Sequence, residues 1–514
     1  MLFNSKEFIL VFLPIVFLGY YFLPKVFKNF SNIIWLLFSS LIFYSYWNYK
    51  FVLLIIFSAI VNYLIGNNLK KFKNTYLLIF GVVFNLFVLG YFKYKNFFIE
   101  NINFLFDQNI PLTNLILPLG ISFFTFQQIA YLVDMKNHLN TTKDSFIKYF
   151  LFVSFFPQLI AGPIVKHKNI LNQLNSKRIF KLNYKNIAIG LSIFCIGLFK
   201  KTFIADNLAL IADPIFLASE NLVKVSFFEG WTATIAYSLQ IYFDFSAYSE
   251  MAIGLALLFN IKLPFNFTSP YKSKNIVIFW RNWNITLSSF FRDYLFFPIK
   301  YFFLRFFYNK NFFLFKTELL SSYFPILFTF GAIGIWHGAG WNFVIFGLLH
   351  GLGIIYVEIL SKIKCFQKIN FKFLSIIFTF LFVSLCLVLF RLESLSGAMN
   401  LYNSLIGING ISFSTRFDFL SIFFNNLKFI SFDSFFPNSL ISKSTSEVAL
   451  ILIISSFVCF CMQNVKEIFY QKRKIGKIII RWMPNFYWMM FCVILFIVGF
   501  LYINNTIQFI YFAF

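Results

Sequence analysis

Charge is what this chain has least of. Only 12% of its 514 residues are Asp, Glu, Lys or Arg, against roughly 25% in a soluble domain, which excludes a soluble globule. Acid is the scarcer sign, with 19 Asp and Glu against 44 Lys and Arg. In a soluble protein the net charge, 44 − 19 = +25, would suggest nucleic acid. Here the bases sit in loops between apolar runs, and anchoring on anionic lipid accounts for them; no nucleic-acid partner is expected. The six cysteines, Cys195, Cys365, Cys386, Cys459, Cys461 and Cys492, lie mostly inside apolar runs, and no pair has the spacing of a metal knuckle or a disulfide framework. Histidine occurs four times, never with the four-residue spacing of a helical metal site. No metal and no permanently bound cofactor are expected. A cleavable leader is not evident, because the first apolar run, 8–23, is followed by Pro24 and Lys25 rather than by small residues.

What the chain does have is oil. Hydrophobic residues make up 59% of it, with 83 phenylalanines, and they fall in blocks of about 15 to 20, the length that crosses a bilayer core of roughly 30 Å. The expected fold is all-α: a polytopic helical membrane protein of about 11 to 13 membrane segments, forming one integral membrane domain over 1–514. The candidate spans are 8–23, 33–47, 51–65, 76–92, 115–133, 146–160, 187–199, 231–245, 323–336, 341–360, 374–390, 448–462 and 487–501.

Basic clusters at Lys70 to Lys73, Lys166 to Lys185, Lys362 to Lys372 and Lys466 to Arg481 read as cytoplasmic. The polar stretch 392–446 then becomes the main outer loop. Three full spans between the first two clusters would put the second on the wrong side. At least one segment there should therefore be a half-span, and two are broken by Pro and Gly, at 117–128 and 156–163. Irregular backbone at membrane depth needs protein or a wet cavity around it, so re-entrant elements are expected.

Against this background the polar residues inside apolar runs stand out. His337 lies in IWHGAGWNF, at the end of one run and just before another. An ionisable group there is a functional candidate, weighed against a histidine satisfied by a backbone carbonyl. Gly338 and Gly340 allow close approach, and Trp336 and Trp341 offer apolar walls. His350 falls about 220° round an ideal helix from His337 and is the weaker candidate; His138 and His167 lie in or beside polar loops and are expected to be solvated. A second constellation, 279–299, packs Arg281, Asn282, Asn284, Arg292 and Asp293 among Trp280, Trp283, Phe290, Phe291, Tyr294 and Phe297. It suggests an amphipathic or cavity-lining helix, or else an interfacial anchor in which Arg292 pairs locally with Asp293. A third, 237–254, sets Gln240, Asp244, Ser246, Ser249 and Glu250 in an apolar run. There, structural pairing with Arg281 or Arg292 competes with a proton path.

Six stretches in this order resemble the membrane-bound O-acyltransferase family (MBOAT), in particular its bacterial branch of alginate and peptidoglycan O-acetyltransferase membrane subunits. They are LPLGISFFTFQQIAYLVD (117–134), FFPQLIAGPIVKHK (155–168), FKKTFIADNLA (199–209), LQIYFDFSAYSEMAIGLA (239–256), FWRNWNITLSSFFRDYLFFP (279–298) and IWHGAGWNFVIFGLLHG (335–351). They define a core over 115–351.

The resemblance implies an enzyme that passes acetyl from cytoplasmic acetyl-CoA across a bacterial inner membrane to a cell-envelope polysaccharide. Peptidoglycan is the first choice of acceptor, and alginate or another exopolysaccharide the second. It also implies a periplasmic esterase-like (SGNH) acetyltransferase as partner. His337 is the histidine it requires for transfer, and Asn284 is the side chain suited to hold the developing oxyanion. Residues expected to line the tunnel are Trp280, Arg281, Trp283, Arg292, Asp293, Gln240, Asp244, Trp336, Trp341, Asn342 and His350. The chain departs from the branch at WRNWN, where WRRWH is usual: Asn284 replaces a histidine and Asn282 an arginine, leaving His337 as the one strong base. The competing readings are a transporter with a proton relay through Asp244, Glu250 and His337, and a D-alanyl or lipid acyltransferase of the same family.

Overall fold

The computed structural model describes all residues except 28–30, 138–144, 309–318, 364–370, 416–429, 438–439, 471–479, 504–508 and 511–514. His138, Cys365 and much of the two C-terminal basic clusters therefore lie outside the described residues.

Eight helices among the described residues are long and apolar enough to cross a bilayer: Phe8–Val26, Lys50–Phe72, Thr75–Lys93, Tyr184–Glu220, Phe227–Leu258, Leu319–His337, Trp341–Lys362 and Lys372–Arg391. Three shorter apolar helices, Asn32–Ser45, Thr445–Cys461 and Phe486–Leu501, bring the number of apolar segments to the expected range. Helix starts follow side-chain chemistry. Ser31, Asn74, Ser145, Asn275 and Asn485 each accept from a backbone N–H of the first turn, and Ser444 with Glu447 forms a capping box at Thr445–Cys461. Lipid-facing positions such as Leu53, Phe87, Phe378 and Ile453 are left exposed, as expected for helices whose outer face meets hydrocarbon.

The chain folds as two compact units, one formed by Met1–Phe199, Ser246–Asn266 and Val465–Ala513, the other by Lys200–Phe245 and Phe267–Asn464. In the first, Ser58, Asn62, Asn85 and Gln128 form a buried amide cluster. Asn85 Nδ2 donates to Asn62 Oδ1 at 2.6 Å, Ser58 Oγ donates to Gln128 Oε1 at 3.0 Å, and Asn62 Nδ2 also reaches Gln128. Inside a bilayer such bonds hold helices together at about 0.6 kcal/mol each. Gly190 and Gly254 bring two helices to backbone contact: a Cβ on either would meet the other's carbonyl oxygen at 2.7 or 2.5 Å.

In the same unit one of the two segments broken by Pro and Gly is a short helix. Phe146–Ser154 has only nine residues, about 14 Å of helix. It breaks at Phe155, makes one turn over Phe156–Leu159, and returns. His167 then packs its ring on Tyr149 and Phe152, at 5.8 and 5.0 Å between centroids. The chain thus ends beside the helix it started from, and 146–160 is not the full span expected. The other broken segment starts its helix at Ile121, after Gly120 at φ +71. A Cβ on Gly120 would lie 2.5 Å from the Leu159 carbonyl oxygen, so the two irregular segments support each other. His167 is not solvated as expected: it is 1% exposed, against Tyr131 as well. Burial, with a smaller contribution from the Lys70 ammonium, pushes its pKa down to about 4.

The second unit is built around the hairpin of Phe324–His337 and Trp341–Lys362. A Cβ on Gly347 would sit 2.2 Å from the Phe330 carbonyl oxygen, and one on Gly334 the same distance from that of Phe343. Two backbones that close leave no room for a side chain. Gly347→Val is therefore expected to destabilise the protein by about 1–3 kcal/mol or more, read as a lower thermal midpoint in detergent. Gly331→Ala, whose Cβ would meet only Leu348 Cδ2 at 3.6 Å, should leave the midpoint unchanged.

A π-helical turn at Lys200–Ala205 places Lys201 against two carboxylates, Asp206 at 2.8 Å and Asp244 at 2.7 Å, with all three side chains buried. Further along, Arg391 pairs with Asp213 at 3.1 Å. The Glu220 carboxylate accepts from the backbone N–H groups of Glu393 and Ser394. These contacts dock the helix Leu395–Leu405 of the expected outer loop, which also carries a two-stranded parallel ladder, Ile411–Ser414 with Ile430–Asp433.

Candidate active site

The stretch expected to form one amphipathic helix at 279–299 is broken in the middle. A first helix, Ile276–Asn282, ends at Trp283; Asn284 takes a left-handed backbone at φ +39; and a second helix, Ile285–Phe291, starts beyond it. The corner is held from both sides. Asn282 accepts from the Thr268 N–H at 3.0 Å through its carbonyl and from the Thr268 hydroxyl at 2.6 Å through its side chain. The Asn284 carbonyl accepts the first bond of the next helix, from the Ser288 N–H at 3.0 Å. Asparagine tolerates this conformation better than most side chains, which lose about 1–2 kcal/mol in it. The Asn284 amide is 1% exposed, and its Nδ2 has no hydrogen-bond partner among the described residues. A buried donor left so is a strained arrangement that a functional role would explain.

His337 is the last residue of its helix and is buried. Three rings close on it: Trp336 at 4.7 Å, Phe390 at 5.0 Å and Phe346 at 6.0 Å. Trp341, expected to be one of the walls, is 56% exposed. The space beside Gly338 is used by the Phe343 ring, 2.1 Å from where a Cβ would stand. Asn342 is buried, but it acts on the backbone: its Nδ2 donates to the Leu389 carbonyl at 3.1 Å and to that of Leu392. It thereby fixes the end of the helix that presents Phe390 to His337.

Aromatic contact links His337 to the Asn284 corner. Phe346 touches both His337 and His350, the latter at 4.6 Å, and His350 in turn meets Trp280 and Phe279 of the helix that leads into the corner. Trp283 stacks on Phe279 at 5.5 Å and meets Phe267 edge-on. Trp280 and Trp283 are thus part of a packed aromatic core. Arg281 and Arg292 are exposed, and Arg292 pairs with Asp293 at 3.0 Å, the local pairing weighed for this segment. Asp244 pairs with Lys201 rather than with either arginine, while Gln240 is buried one helical turn before it with Oε1 unpartnered among the described residues. Lys201 and Phe346 lie inside the stretches that carry the resemblance but were not singled out there, and Phe390 is one more phenylalanine in a chain full of them. Among the described residues no cluster of His, Cys, Asp and Glu could hold a metal ion.

The second unit thus carries two buried histidines, His337 and His350, in one aromatic core together with the buried Asn284 amide. The chain belongs to the membrane-bound O-acyltransferase family, whose model matches residues 41–396, and it is an O-acyltransferase. It is similar to a peptidoglycan O-acetyltransferase of Helicobacter pylori, 39% identical over 503 residues, covering 91% of this chain and 90% of the relative. A probable alginate O-acetylase of Pseudomonas aeruginosa is 36% identical over 79% of this chain and 75% of its own. A teichoic acid D-alanyltransferase of Bacillus subtilis is 28% identical over 53% of this chain and 68% of its own.

Proposed function

We propose that this protein takes acetyl from acetyl-CoA at the cytoplasmic face of the inner membrane and passes it across for O-acetylation of peptidoglycan. The observation that supports the chemistry is the run of ring contacts from His337 through Phe346 and His350 to Trp280, on the helix that leads to Asn284, whose amide N–H donor is buried and unpartnered among the described residues. His337 takes the proton of an acceptor hydroxyl as its oxygen attacks the thioester carbonyl. The tetrahedral oxyanion accepts from Asn284 Nδ2. Collapse breaks the C–S bond, and the thiolate takes the proton back from His337 to leave as CoASH. The choice of acceptor follows the relatives: similarity to the peptidoglycan enzyme runs nearly end to end, whereas it covers about three quarters of the alginate enzyme and two thirds of the D-alanyl enzyme.

A periplasmic esterase-like acetyltransferase is the proposed partner that finishes the transfer. Purified protein in detergent should release free thiol from acetyl-CoA once that partner or its acceptor is added. Cells lacking the gene should lose O-acetyl groups from their muropeptides. Unchanged muropeptide acetylation, with loss of acetyl from a secreted polymer instead, sinks the peptidoglycan assignment in favour of an exopolysaccharide.

A further inference from the structure

We infer that His350 is a positioning residue for this acyl transfer, and that it acts as a neutral hydrogen-bond acceptor which ties the two halves of the site together. The inference rests on the assignment of His337 and Asn284 above. Trp280 Nε1 donates to His350 Nδ1 at 3.3 Å. That bond puts the ring proton of His350 on Nε2 and leaves Nδ1 as the acceptor. Around the imidazole stand Phe346 at 4.6 Å, Trp280 at 5.2 Å, Phe382 at 5.7 Å and Phe279 at 6.4 Å. The ring is 1% exposed, so it is walled off from substrate by aromatic carbon.

The same ring touches both reacting segments. Through the indole it holds the Ile276–Asn282 helix, two residues short of Asn284. Through Phe346, four residues earlier on its own helix, it backs the ring that faces His337. A helix of seven residues has little rigidity of its own, and among the described residues the Trp280 indole N–H donates to His350. Loss of the acceptor frees the indole and lets the Asn284 donor drift from the oxyanion, and a displacement near 1 Å at such a site is worth on the order of 10²-fold in rate.

Three single substitutions and one double test this. His350→Asn offers an oxygen where Nδ1 stood and should keep kcat within about threefold of wild type, whereas His350→Leu removes the acceptor and should lower kcat on the order of 10²-fold with KM for acetyl-CoA little changed. Trp280→Phe removes the donor, and combined with His350→Leu it should cost no more than either change alone. The acid limb of the pH–rate profile should stay in place in His350→Asn, since His337 is the titrating base. Ultraviolet resonance Raman of the indole N–H reads the bond without substrate: the bonded band should persist in His350→Asn and vanish in His350→Leu. Equal kcat losses in His350→Asn and His350→Leu, or an acid limb that moves in His350→Asn, overturn the proposal. So does a fall in thermal midpoint alone in His350→Leu with kcat intact. A wild-type protein that shows the bonded indole but releases no thiol overturns the acetyl-CoA reading and leaves the hydrogen bond standing.

Discussion

His337→Ala is expected to lower thioester cleavage by about 10²- to 10⁴-fold, the usual contribution of a positioned general base. The substitution removes the imidazole that Trp336, Phe346 and Phe390 enclose. The helix ends at this residue and the following turn is set by Gly338 against Phe343, so the fold should survive. The measurement is thiol release from acetyl-CoA by purified wild type and variant at matched concentration, with size-exclusion profiles as the control for folding. Comparable rates in the two proteins would remove His337 from the reaction. His337→Gln should be equally slow, because it keeps polarity and size but cannot take a proton near neutral pH.

Asn284→Ala should lower kcat on the order of 10²- to 10³-fold, the loss seen when one oxyanion donor is removed. Here a second variant separates chemistry from fold. Asn284→Gly suits the left-handed backbone at φ +39 better than alanine does, so it should be at least as stable as Asn284→Ala and just as inactive. Recovery of activity in the glycine variant would mean that backbone shape, not the amide, is what the site needs. The same geometry explains the departure from the related WRRWH pattern. Asn and His are both enriched among non-glycine residues with positive φ, so either can occupy the corner. Asn284→His should therefore fold, and it should add a second titration to the pH–rate profile.

How much of this was legible in the sequence varies from residue to residue. Arg292 paired with its neighbour Asp293, as a short sequence separation in an amphipathic stretch suggests. The break in 146–160 followed from Pro and Gly in the sequence, and the helix does stop at Ser154 before one further turn over Phe156–Leu159. The site was harder. Trp336 directly precedes His337 and Trp341 follows it by four residues; Trp336 packs on the imidazole, whereas Trp341 is mostly exposed. The helix ends at His337 and a new one starts at Trp341, so the two tryptophans leave in different directions. Asn342 and Trp280 looked like lining residues and turned out to hold backbone and imidazole. Asp244 found a lysine 43 positions away across the turn at Lys200–Ala205, a partner that no helical periodicity points to.

By itself the sequence determined that this is a membrane protein, roughly where its apolar helices lie, and which few polar residues are too expensive in hydrocarbon to be accidental. Those conclusions rest on length, composition and desolvation, which are local properties of a stretch of chain. Only the tertiary structure decided which aromatic rings enclose His337, that His350 serves Trp280, and that Asn284 sits at a broken corner with its donor unpartnered among the described residues. The physical reason is the oil itself. A soluble helix announces its inward face by contrast with its polar one. Helices that are apolar all round offer no such contrast, and 83 phenylalanines become distinguishable only by what they touch.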